Sequence, residues 1–157
     1  MKFNAAAILS FALVGLSAAA SVPMKRAAVA DIAEVGAKIA EIILEGKAAD
    51  DETRGRFAQN MIDGFRREYG DNSNIVVIHT GHDYTWDGVQ GSDWAHSHYE
   101  LDVQIGGTIG YELYVSKVSG YLHRTGDGGG LNWAWYGFLA KDPEDNGALL
   151  TFVDPDA

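Results

Sequence analysis

The sequence predicts an α+β domain, with two N-terminal helices packed on one face of an antiparallel β-meander of four to six strands. Three observations point to it. Apolar residues recur at steps of three and four as far as Tyr69, they alternate with polar residues beyond Asn74, and the segments that alternate are joined by short, often glycine-bearing connections. Short connections favour antiparallel neighbours, and two small amphipathic helices need a broad apolar surface to cover.

The first helix carries Val29, Ile32, Val35, Ile39, Ile42 and Ile43 on one face and Asp31, Glu34, Lys38 and Glu41 on the other, and it is expected to end near Gly46. The second begins at a cap on Asp50 or Asp51, repeats Phe57, Met61, Phe65 and Tyr69 at steps of four, and stops at Gly70. Ile75 to Ile78 is β-branched throughout, which suits a strand covered on both sides near the centre of a sheet. His96 to Ile105 alternates strictly. Its odd positions are Ser97, Tyr99, Leu101, Val103 and Ile105, and its even positions are His96, His98, Glu100, Asp102 and Gln104. Gly106-Gly107 turns the chain into Ile109 to Val118. Tyr121 to Arg124, an aromatic segment from Leu131 to Leu139, and Leu149 to Val153 complete the strands, with Gly126 to Gly130 as a loop.

The N-terminus has a different character. Lys2, the apolar run Ala5 to Leu16 and the small residues Ala18 to Ala20 form a secretory signal peptide over residues 1–20. The run is shorter than the roughly 20 apolar residues a membrane span requires, so stable membrane insertion is not expected. Residues 21–26 read as a short propeptide ending in Lys25-Arg26, which leaves 27–157 as a single α+β domain of 131 residues. That domain holds 9 basic against 22 acidic residues, a balance of −13, which disfavours nucleic acid and anionic membrane surfaces as partners. Arg54, Arg56, Arg66 and Arg67 are interleaved with acids and read as a solvated helix face. The chain has no cysteine, which excludes disulfides, a thiol nucleophile and a thiolate zinc site. It also lacks G-x-S-x-G, H-E-x-x-H and a P-loop.

Three groups of residues remain as candidate sites. His96, His98 and Glu100 project from one side of a strand, as metal ligands at alternate positions would. The H-x-H followed by an acid is similar to the metal motif of cupins, but the glutamate comes two residues after the second histidine and no second half of the motif follows. Solvent-facing polar residues explain the same pattern, and no cofactor is expected. Helices followed by an antiparallel sheet bearing Glu, Arg and His resemble the microbial ribonuclease architecture. That resemblance implies Glu100 as general base, His98 or His123 as general acid and Arg124 as the clamp on developing charge. The third group is aromatic: Trp133 and Trp135 share one face of their strand and Tyr136 and Phe138 the other, with Tyr84, Trp86 and His82 able to extend an exposed patch.

Lys25-Arg26 resembles a kexin-type processing site. Together with export, small size and the absence of a catalytic signature, it makes the chain similar to small secreted fungal proteins of the effector type. The resemblance implies a non-enzymatic module that binds a host or competitor protein, or alternatively a glycan, through an aromatic anchor at Trp133 and Trp135 with Tyr84 and Trp86 beside it. A secreted ribonuclease-like hydrolase is the alternative, and a metal-binding or cell-surface protein the next. The cysteine-free composition departs from the commoner cysteine-rich members and suits a fold that also persists in a reducing compartment, so entry into host cells is a further expectation. An uncovered edge strand would permit dimers.

Overall fold

The apolar spacing forms the helices it predicts. In the computed structural model, which describes residues 32–44, 50–103, 107–130 and 132–157, α1 spans Ile32–Leu44 and α2 spans Asp50–Tyr69. The signal segment 1–20, the propeptide 21–26 with Lys25 and Arg26, and the expected helix limits at Val29 and Gly46 lie outside the described residues. Ile32, Val35 and Ile39 of α1 and Phe57, Met61, Phe65 and Tyr69 of α2 are all buried. The helices approach closely because Gly64 has no side chain: a Cβ there would stand 2.4 Å from Ile39 Cγ2. After Tyr69 the chain leaves the helix at Gly70, whose φ of 81° is left-handed. The Lys117 ammonium donates to the carbonyls of Tyr69 and Asn72 and so covers this helix end.

Seven antiparallel strands follow among the described residues: β1 (Asn74–Ile78), β2 (His82–Trp86), β3 (Trp94–Val103), β4 (Gly107–Ser116), β5 (Gly120–Arg124), β6 (Trp133–Tyr136) and β7 (Leu149–Phe152). The class is α+β, but the strands do not form one meander. They divide into a four-stranded sheet in the order β3-β4-β1-β6 and a three-stranded sheet in the order β2-β5-β7. The physical reason is β1, whose five residues are all buried. Such a strand needs neighbours on both edges and cover on both faces, so it sits between β4 and β6 while the short strands make a second layer. β2 is a strand beyond those the alternation predicted, because His82-Asp83-Tyr84-Thr85-Trp86 is too polar to stand out as apolar alternation.

Two cores result. Ile75 and Val77 of β1, Leu101 of β3, Tyr111, Leu113 and Val115 of β4 and Ala134 of β6 join the buried helix residues. On the opposite face, Val76, Ile78 and Tyr114 meet Trp86, Leu122, Leu150 and Phe152 of the small sheet. Asn74, wholly buried, fastens this second layer. Its Nδ2 donates to the Val118 and Val153 carbonyls, and its Oδ1 accepts the Phe138 N–H. No helix among the described residues is long and apolar enough to cross a membrane.

Candidate functional site

Strand register assembles the site. β3 pairs with β4 so that His96 lies opposite Tyr114, His98 opposite Glu112 and Glu100 opposite Gly110. The even positions of β3 and β4 face the side where the small sheet lies. That sheet covers the first part of the face: Tyr114 is buried under Tyr84 and Trp86, with ring centroids at 4.7 and 6.5 Å, and His96 stacks on Tyr114 at 4.7 Å. Beyond His96 the cover ends, and His98, Glu100 and Asp102 are exposed.

A chain of four side chains crosses this open end. His96 Nε2 lies 2.5 Å from Glu112 Oε2, His98 Nδ1 lies 2.8 Å from Glu112 Oε1, and His98 Nε2 lies 2.6 Å from Glu100 Oε1. Both nitrogens of His98 therefore face carboxylate oxygens, which accept only, an arrangement that favours the imidazolium because that form donates from both nitrogens. The bonds to Glu100 and Glu112 raise the His98 pKa above 6.5, with slight burial opposing them. The bond from His98 holds Glu100 below the ordinary carboxylate value. Partial burial pushes Glu112 up, but its bonds from His96 and His98 together outweigh this and leave it lowered. Gly110 makes room for the arrangement, since a Cβ there would stand 2.6 Å from His98 Cε1.

At the covered end, His82 Nδ1 donates to the Thr80 carbonyl at 2.8 Å, which leaves Nε2 to accept from the Tyr114 hydroxyl at 2.9 Å. Burial pushes the Tyr114 hydroxyl pKa upward, so the phenol keeps its proton. Glu112 and Tyr114 were not among the candidates read from the sequence. The signal that could have found them is the alternation of β4, which sets both on the face opposite Tyr111, Leu113 and Val115.

The ribonuclease-like quartet does not assemble. His123 pairs with Asp83, and Arg124 with His82, in the small sheet. His123 alternates with the inward-facing Leu122 and so leaves the outer side of that sheet, where its Nε2 bonds Asp145 Oδ2 at 2.9 Å. The Arg124 guanidinium lies over the Trp133 ring at 5.1 Å and donates to the Gly126 carbonyl, so it clamps the glycine-rich loop. As for metal, no group of three or more candidate ligands that could hold an ion occurs among the described residues. The nitrogens of His98 are occupied by carboxylates, and His96 Nε2 by Glu112.

The aromatic candidates need correction as well. Alternation alone leaves one row of β6 open, but the second sheet covers the face opposite the helices. Trp133 and Trp135 are half-buried against the core between the sheets, Trp135 meeting Phe152 edge to face at 6.3 Å. Tyr136 packs on the helix side with Arg66 over its ring, and Trp86 is only 6% exposed. Tyr84, at 38%, keeps an accessible edge beside His96. Compared with known proteins, the chain matches no family model, no curated protein and no solved structure.

Proposed function

We propose that the chain is a secreted, non-enzymatic binding module of the effector type that docks a host or competitor protein on the open end of its four-stranded sheet. The observation that carries this reading is the unfinished cover of that face: Tyr84 stands at its margin, and His98, Glu100 and Asp102 lie exposed beyond it. The aromatic anchor moves accordingly from Trp133 and Trp135 to Tyr84. The site holds three carboxylates, Glu100, Asp102 and Glu112, in a chain whose formal net charge is −10, so a basic protein surface suits it and a phosphodiester does not. Hydrolysis is the weaker reading because the arginine it needs is committed to the Gly126 carbonyl and the Trp133 ring. Export rests on the N-terminal residues. Sequencing the N-terminus of protein recovered from culture medium should find Ala27 if Lys25-Arg26 is cleaved.

Affinity capture of the tagged protein from target-tissue extract tests the binding reading. A partner retained by the wild type should be lost with Tyr84→Ala and Glu100→Lys, both at exposed positions, while circular dichroism stays unchanged. Capture that is indifferent to both variants, together with RNA cleavage abolished by His98→Ala, would replace binding with hydrolysis.

A further inference from the structure

β3 ends the four-stranded sheet, and its outer edge has a definite hydrogen-bonding pattern. The Lys117 N–H donates to the Asp93 carbonyl at 2.9 Å in the same register as the β3–β4 ladder. Bonded pairs recur at every second residue of an antiparallel ladder. Ala95, Ser97, Tyr99 and Leu101 therefore turn their backbone groups toward β4, while His96, His98, Glu100 and Asp102 turn theirs outward. The Trp94 carbonyl, next in this outward series, accepts the Gly91 N–H at 2.7 Å. Among the described residues, no strand or loop takes up the outward groups from His96 to Asp102.

We propose that this edge pairs with β3 of a second copy of the chain, antiparallel about a two-fold axis at Tyr99, so that two four-stranded sheets become one of eight strands. The side chains select both the occupant and the register. With Tyr99 on the axis, His98 of each copy stands opposite Glu100 of the other, and His96 stands opposite Asp102. All four outward residues then lie in hydrogen-bonded pairs, and every opposed pair on the polar face joins a histidine to an acid. Sliding the second strand by two residues one way sets His98 against His98. Sliding it the other way sets Glu100 against Glu100. On the helix-facing side the axis brings Tyr99 against Tyr99 and Leu101 against Ser97. A two-fold interface is self-complementary, and the His-x-His-x-Glu-x-Asp order from His96 to Asp102 has the required inversion of basic and acidic positions. This inference does not rest on the binding reading above, because the strand edge makes it and the sheet face makes the other.

Sedimentation velocity over a concentration series measures the association. The purified protein should show a monomer–dimer equilibrium, and Asp102→Lys, an exposed change, should weaken it about tenfold or more by setting lysine against His96. Since the chain has no cysteine, register can be read by oxidation. Tyr99→Cys should cross-link to itself, because a non-bonded antiparallel pair places its Cα atoms about 4.5 Å apart, within disulfide reach. Ser97→Cys alone should not. Tyr99 stacks on Phe57 at 5.6 Å, so if its loss unfolds the domain, a mixture of His98→Cys and Glu100→Cys proteins should give the mixed disulfide instead. A folded wild type that stays monomeric throughout, or a dimer unaffected by Asp102→Lys, overturns the proposal. Partner capture that is lost with Tyr84→Ala while that protein still dimerises would separate the two interactions, because Tyr84 stands on the small sheet and not on the β3 edge.

Discussion

The helix-covered face of the four-stranded sheet and the sheet-covered face differ in how completely they are closed. On the first, Phe57, Met61, Phe65 and Tyr69 lie over Ile75, Val77, Leu113 and Val115 as one apolar core. Phe57 sits against both Tyr99 and Tyr111, at 5.6 and 4.8 Å. On the second, the apolar contact between Trp86, Tyr114 and Phe152 gives way at His96 to the exposed chain of His98, Glu112 and Glu100. The same strands therefore supply both stability and a polar surface. Long helices can cover a ten-residue strand, whereas strands of four and five residues cannot.

That contrast is breakable. Phe57→Ala should cost the most, about 4 kcal/mol, since it removes a fully buried ring from the closed face. Denaturant unfolding would measure it, and the imidazole resonances of His98 should hardly move. Asn74→Ala should cost about 2 kcal/mol by leaving the Val153 carbonyl and the Phe138 N–H unpaired, while the Val118 carbonyl keeps its bond from the Ser116 hydroxyl. Its signature should be local, with amides of β7 exchanging faster while the β3 amides that face β4, such as Ser97 and Tyr99, stay protected. Equal acceleration in both would mean that the small sheet is not held separately at Asn74.

The smallest expected effect belongs to the open end. The raised His98 pKa stabilises the fold fully below pH 6.5, and this contribution fades as pH rises through the folded value. The lowered Glu112 pKa contributes fully above pH 4.5 and fades as pH falls through its own folded value. The network should thus support the fold best between these limits, with a shallow decline on either side because solvent screens these groups. Glu112→Gln should flatten the upper limb and move the His98 midpoint, followed by NMR, down toward 6.5.

Much of this architecture was legible from residue spacing. Phe57, Met61, Phe65 and Tyr69 placed one helix face, Gly70 its end, and the β-branched run Ile75 to Ile78 a central strand. The polar side of β3, with His96, His98 and Glu100 together, was likewise visible as alternation. The partition into two sheets was not, because HDYTW carries too little apolar pattern to announce a strand. Nor was the fate of the tryptophans, since alternation says that Trp133 and Trp135 share a face without saying what lies over it.

By itself, then, the sequence determined the class, the helix faces and the composition of each strand side, because these depend on periodicities of a few residues. Only the tertiary structure decided that Glu112 bridges His96 and His98, that His123 and Arg124 belong to another sheet, and that Tyr84 is left accessible while Trp86 is not. Those outcomes depend on register and layer order, which arise when strands distant in the chain compete for the edges of β1.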